Sequence, residues 1–233
     1  RYRYDSFGNR VAKTVIDTRG RSHTTRYVYD TAHRLVAQAS EDGRIVRQYL
    51  YADHRVHSVL EGTEIRAVHS DWRGLPGRVS DARRREVWRG SFDAWGFSLA
   101  QSDETMPLRL AGQQWDAETG LHYNIHRYYD PARGRYLSPD PMGAPDGADR
   151  YAYLNGDPYA GIDPLGLFEI PLSAFGGARV LPLTDGGHGD ILRIAFVQYN
   201  TAQGLRFSQT IIDQIVLNNY HTDSQYLPLL NPG

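Results

Sequence analysis

Arg26-Tyr27-Val28-Tyr29-Asp30 is one copy of a pattern that returns along the first hundred residues of the chain. Tyr2-Arg3-Tyr4-Asp5 precedes it by 25 positions, counted from Tyr2 to Tyr27, and Gln48-Tyr49-Leu50-Tyr51 follows by 22, counted from Tyr27 to Tyr49. Arg89-Gly90-Ser91-Phe92-Asp93-Ala94-Trp95-Gly96 is a degenerate copy. Within the clearest copies aromatic residues recur at every second position, which is the period of a strand. Between copies stand Asp17-Thr18-Arg19-Gly20 and Glu41-Asp42-Gly43-Arg44, runs that predict hairpin turns. Each unit therefore reads as strand, turn, strand. A single hairpin is marginal in water, so stacked copies must cover one another in a long continuous sheet. Tyrosines at i and i+2 would form ladders on one face of it. A sugar-binding surface is the alternative use of the same side chains.

Working outward, residues 56–96 continue the pattern less regularly. His69 and Asp71 stand beside Gly74-Leu75-Pro76-Gly77, and a lone His/Asp pair reads as turn chemistry rather than as a metal site. Arg83-Arg84-Arg85 reads as a solvated turn. The chain has 233 residues, a net charge of −1 and no cysteine, which excludes disulfides, thiolate metal sites and cysteine nucleophiles. That charge gives no global attraction to nucleic acid. No apolar run approaches the length of a spanning helix, so no stable membrane anchor is expected. The start has neither an initiating Met nor the order of a signal peptide, and reads as the middle of a repeat in a longer protein.

From Arg127 to Leu167 the composition turns to Gly, Pro, Asp and Tyr, suited to fixed turns and short strands. Asp116-Ala117-Glu118-Thr119-Gly120 is a turn signal. Leu121-His122-Tyr123-Asn124, Arg127-Tyr128-Tyr129 and Arg135-Tyr136-Leu137-Ser138 read as short strands. Four Asp-Pro pairs begin at Asp130, Asp140, Asp157 and Asp163.

The ordered set of these pieces resembles the core region of the Rhs/YD-repeat polymorphic toxins, which include the C subunits of insecticidal Tc complexes. The matching pieces are the Tyr-x-Tyr-Asp repeats, Gly112-Gln113, Glu118 to Asn124, Arg127 to Pro131, Gly134 to Pro141, Tyr151-Ala152-Tyr153 and Asp163-Pro164-Leu165-Gly166-Leu167. Gly143-Ala144-Pro145 and Asp149-Arg150-Tyr151 depart from the family's usual loop. The resemblance implies a mainly β fold: repeats over residues 1–107 forming part of a spiral shell, a core plug over 108–167, and the start of a variable toxin over 168–233. It also implies that the chain cuts itself after Leu167, with Arg127, Asp140 and Asp163 at the family's arginine and aspartate positions. No cofactor is implied. The implied partners are the chain's own C-terminal toxin, an immunity protein, a secretion chaperone and a secretion-spike protein. The implied setting is a bacterial cytoplasm, followed by type VI secretion or Tc translocation into a target cell.

The residue chemistry suits such a cut. Two neighbouring carboxylates resist ionising together, so one can take a proton from water while the other gives one up. Asp140 and Asp163 are candidates for the pair. Pro164 and Gly166 supply the turn that would fold the Leu167–Phe168 bond back toward Asp163, and tethering makes the local concentration high. Arg127 can hold a carboxylate ionised or bind an oxyanion. Phe168 has no nucleophilic side chain, so an acyl shift does not fit. The competing reading makes every Asp-Pro pair a turn initiator and Arg127 a structural partner; Asp130 and Asp157 favour it. A glycosidase-like pair lacks an identified sugar cleft. A non-catalytic, tyrosine-rich adhesion or carbohydrate-binding module is the alternative function.

Past Leu167, Ile191 to Val197 reads as a strand, and Phe207, Ile211 and Ile215 fit helix or strand. His188, Asp190, Arg193 and His221 have no recognisable spacing, and Gly186-Gly187-His188-Gly189 is too short for a phosphate loop.

Overall fold

Alternation in the repeats produces ten strands lying side by side in chain order. They are β1 Tyr2–Tyr4, β2 Arg10–Ile16, β3 Ser22–Tyr29, β4 Leu35–Ala39, β5 Ile45–Ala52, β6 Arg55–Glu61, β7 Glu64–Ser70, β8 Pro76–Ser80, β9 Glu86–Phe92 and β10 Ser98–Gln101. The computed structural model describes residues 1–102, 106–143 and 148–175, with the side chains of Ser173 and Phe175 left out. In β4 the period is plain: Leu35, Ala37 and Ala39 are buried while Val36 and Gln38 are half-buried. Tyr27 and Tyr49 are the buried tyrosines of their repeats, and Tyr29 and Tyr51 are half-buried.

A single five-residue turn recurs between strands. In Asp17–Arg21 the carboxylate of Asp17 accepts the N–H groups of Arg19 and Arg21, both at 2.9 Å, and the Gly20 N–H bonds the Asp17 carbonyl at 3.0 Å. The same closure is made from Asp5, Asp30, Asp71, Asp81 and Asp93. The fourth residue is left-handed each time, even where it is His33 or Arg84. The rule is an Asp whose side chain mimics a turn of backbone. Asp71 belongs to this set, and His69 bonds Ser80 Oγ at 2.9 Å.

A second antiparallel sheet follows: β11 Gln114–Asp116, β12 Leu121–Asn124, β13 Arg127–Asp130 and β14 Arg135–Tyr136. The first repeat docks on it. Arg10 is buried, pairs with the buried Asp116, and lies 4.4 Å over the Tyr123 ring. Tyr4 and Tyr128 share a hydroxyl contact of 3.1 Å, and the Tyr123 hydroxyl donates to the Gly8 carbonyl at 2.9 Å. The ring contacts of Tyr2 and Tyr4 run to Tyr128 and Tyr123, so at this repeat the tyrosines join two sheets rather than ladder along one.

Behind β13 and β14, Leu75, Leu110, Tyr129, Tyr136, Tyr153 and Leu154 form a core with Phe92 and Trp95 against it. The Tyr129, Tyr136 and Tyr153 ring centroids lie 5.0–6.1 Å apart, a spacing at which tilted aromatic pairs attract. Finally β15 Gly161–Ile162 pairs with β16 Ile170–Pro171, with Ile162 opposite Ile170.

Arg1–Leu50 and His54–Pro171 make one compact unit. Tyr51–Asp53 fall outside it, as does the short 3-10 turn at Leu172–Phe175 that follows β16. The architecture is almost all β, with large antiparallel sheets of the kind that build a shell. Readings made on residues 176–233, including His188, Asp190, Arg193 and His221, lie outside the described residues, as do Ala144 and Pro145.

Candidate functional site

The Asp163–Leu167 stretch forms the repeat turn once more, now in a buried place. Asp163 Oδ1 accepts the Leu167 N–H at 3.0 Å, and Gly166 takes the left-handed position with φ 68°. The turn lies against the β12–β13 connection, where the His126 N–H reaches the Leu165 carbonyl at 3.2 Å. A Cβ on Gly166 would stand 2.6 Å from the Asn124 carbonyl, so glycine is required by space as well as by φ. On the other side Gly112, at φ 80°, leaves room for the Pro164 carbonyl; a Cβ there would meet that oxygen at 1.9 Å.

Asp140 also begins a repeat-type turn. Its Oδ1 accepts the Met142 N–H at 2.7 Å and its carbonyl takes the Gly143 N–H at 3.2 Å. Arg150 holds the segment by donating to the carbonyls of Gly143 and Asp140, at 2.9 and 2.6 Å. Asp130 and Asp157 close ordinary turns of their own, with Arg133 on the first. All four Asp-Pro pairs are thus turn initiators, as the competing reading held, but two of them meet on one cation.

That cation is Arg127, at the start of β13. Its Nη2 lies 3.0 Å from Asp140 Oδ2 and 3.3 Å from Asp163 Oδ2. Its Nε donates to the Gly166 carbonyl at 2.6 Å and its Nη1 to the Arg150 carbonyl at 3.2 Å. The guanidinium carbon sits 3.7 Å from the centre of the Tyr136 ring. All three charged side chains are 3–5 % exposed. Removing charges from water is costly, and the fan of bonds from Arg127 is what offsets it here.

Burial raises the pKa of Asp163 above the usual carboxylate range, against the lowering effect of bonds from Tyr136, Leu167 and Gly166 and of the Arg127 charge. The Tyr136 hydroxyl donates to Asp163 Oδ2 at 2.7 Å, and Asn124 Nδ2 donates to the Tyr136 hydroxyl at 2.8 Å and to the Asp163 carbonyl at 2.9 Å. Leu167 is half-buried and Phe168 is 40 % exposed, so the bond between them lies where the loop leaves the interior.

The site residues read from the sequence therefore come together: Arg127, Asp140 and Asp163 in one cluster, with Pro164, Gly166 and Leu167 in the turn beside it. Tyr136, Asn124, Arg150 and Gly112 complete the cluster, and sequence reasoning gave none of them a role. Gly112, Asn124 and Tyr136 were inside the matched motifs, but no spacing rule marks a tyrosine as the hydrogen-bond donor to an aspartate 27 residues away.

Comparison with known proteins agrees with the architecture. No family model matches. The chain is 36 % identical over 200 residues to the double-stranded DNA deaminase toxin A of Burkholderia cenocepacia, covering 72 % of this chain and 14 % of that protein. It is 34 % identical over 175 residues to the tRNA3(Ser)-specific nuclease WapA of Bacillus spizizenii, covering 71 % of this chain and 7 % of that protein. The Photorhabdus luminescens Tc holotoxin pore shares the fold with a TM-score of 0.58 at 20 % identity, over 72 % of this chain and 9 % of that one. The chain is thus similar in sequence to toxins of the Rhs and WapA kind and shares its fold with part of the Tc holotoxin structure. It spans only a small part of each of these relatives.

Proposed function

We propose that this chain is a repeat-and-core section of an Rhs-type toxin that encloses its own C-terminal toxin in a β-shell and severs the link after Leu167. The shell reading rests on the ten-stranded meander and on homology to toxins. The observation that carries the cleavage reading is the meeting of two buried aspartates on one arginine, with one of them bonded to the N–H of the residue before the cut. Water adds to the Leu167 carbonyl carbon, one carboxylate accepts its proton, and the other delivers a proton to the Phe168 nitrogen as the carbon–nitrogen bond breaks. The products are a Leu167 carboxylate and a free Phe168 amine, and the chain acts once. Arg127 keeps the pair together and stands ready for the charge that develops on oxygen. The toxin's target, an immunity protein, a secretion chaperone and a secretion spike belong to the same proposal, on homology alone.

A second reading has its own support. The tyrosine clusters joining Tyr2 and Tyr4 to the second sheet, and Tyr129 to Tyr136 and Tyr153, serve packing, and every candidate aspartate is also a turn former. These features fit a non-catalytic, tyrosine-rich YD-repeat module better than they fit an enzyme. Intact mass of the full-length protein separates the two. The cleavage reading expects a break after Leu167 in the parent and none in Asp140→Asn or Asp163→Asn. An uncut parent supports the non-catalytic module, and a cut that persists in both variants removes the aspartates from the chemistry.

A further inference from the structure

We propose that Tyr136, held by Asn124, is a positioning residue that, by donating to Asp163, favours the ionised form of that carboxyl, the form that can take a proton. This rests on the cleavage reading above and adds to it a residue that tunes one of the two acids.

The direction of each hydrogen bond is fixed by chemistry. The Asp163 main-chain carbonyl can only accept, so the Asn124 atom 2.9 Å from it is the amide nitrogen. That nitrogen also donates to the Tyr136 hydroxyl oxygen at 2.8 Å. With a donor already on its oxygen, the phenol turns its one hydrogen to the remaining neighbour, Asp163 Oδ2, at 2.7 Å. Tyr136 is 1 % exposed and its pKa is raised well above the usual phenol value, chiefly by burial, so it stays a donor throughout the working range of pH.

Asp163 thus receives the Tyr136 hydroxyl and the Arg127 guanidinium on Oδ2 and the Leu167 N–H on Oδ1. These three donors oppose the upward push of burial on this carboxyl and widen the pH range in which it can take a proton. Asp140 receives the Met142 N–H on Oδ1 and Arg127 on Oδ2, and no phenol. The pair is therefore asymmetric although both members share Nη2 of Arg127. In the cleavage step a proton leaves water for the ionised carboxyl of the pair, the water oxygen bonds the Leu167 carbon, and the protonated carboxyl gives its proton to the Phe168 nitrogen as the carbon–nitrogen bond breaks.

Tyr136→Phe removes the hydroxyl and keeps the ring against Arg127. The test is the pH profile of self-cleavage in the full-length chain, followed by mass after synthesis in vitro, for the parent, Tyr136→Phe and Tyr129→Phe. Tyr129 packs 5.7 Å from Tyr136, but its hydroxyl donates to the Trp95 carbonyl and not to a carboxylate. The expected result is an acid limb displaced upward by about one pH unit in Tyr136→Phe, the scale of one hydrogen bond to a charged group, with Tyr129→Phe like the parent. Limbs unchanged in Tyr136→Phe, or equally displaced in Tyr129→Phe, overturn the proposal. Carboxyl NMR of Asp163 in the Asp140→Asn chain reads the same effect without cleavage: its titration should move up when Tyr136 becomes Phe. A shift there with a parent that never cuts would remove the cleavage reading and keep the Tyr136–Asp163 coupling; no shift would remove the coupling itself.

Discussion

The turn at Asp17–Arg21 and the turn at Asp163–Leu167 are closed by the same kind of bond, a carboxylate to the N–H four residues on, at 2.9 and 3.0 Å. Both place glycine fourth, with φ 78° and 68°. Their surroundings differ. A Cβ on Gly20 would meet nothing within 4 Å, whereas one on Gly166 would strike the Asn124 carbonyl. Asp17 finds its cation locally, in Arg21 of the same turn. Asp163 has Leu167 at that position, and its cation is Arg127, 36 residues earlier. The bonds of the turn and the Arg21 side chain hold the Asp17 pKa below the usual value, while burial pushes Asp163 above it. One local motif thus serves as a surface hairpin turn and as part of a buried charged cluster, and packing makes the difference.

The largest way to break this comparison is to take away the distant cation. Arg127→Met leaves two buried carboxylates without their shared cation, and the expected loss is about 3–5 kcal/mol in urea unfolding. The loss should be greatest above neutral pH and shrink as acid protonates the pair. A loss independent of pH would mean that Arg127 acts by packing alone.

Next in size is the space around the turn. Gly112→Ala adds a methyl against the Pro164 carbonyl at 1.9 Å and strains a left-handed residue. Its expected cost, about 2–4 kcal/mol, combines overpacking with that strain. Gly20→Ala carries only the strain, about 1 kcal/mol. Equal melting temperatures for the two variants would erase the contrast in surroundings.

The smallest effect is the most diagnostic, because its sign reverses between the two kinds of turn. The raised pKa of Asp163 means that its contribution is full at low pH and is lost as pH rises through the folded value. Asp163→Asn escapes that loss, so its melting temperature should gain on the parent between pH 4 and pH 8. Asp81 has a lowered pKa, chiefly through the Arg85 N–H bond, so its contribution is present at neutral pH and lost as pH falls. Asp81→Asn should therefore trail the parent at neutral pH and converge with it in acid. Calorimetry across the range checks both, and parallel drifts in the two variants would sink the distinction.

The sequence by itself determined the strands, the turns and the all-β class. Period-two aromatics, Asp-x-x-Gly spacing and Asp-Pro pairs act over two to five residues, and local backbone chemistry answers to them directly. It also placed Arg127, Asp140 and Asp163 in the same motif set. Only the tertiary structure decided that Asp163 lies in the interior while Asp17 and Asp81 stay at the surface, that Gly112 gives way to Pro164, and that Tyr136 and Asn124 stand behind one carboxylate and not the other. It decided too that Tyr2 and Tyr4 spend their rings on a second sheet. Desolvation and the direction of a hydrogen bond depend on which surfaces meet, and residues 36 or 124 positions apart, as Arg127 and Asp163 or Tyr4 and Tyr128 are, carry no periodic trace of that meeting.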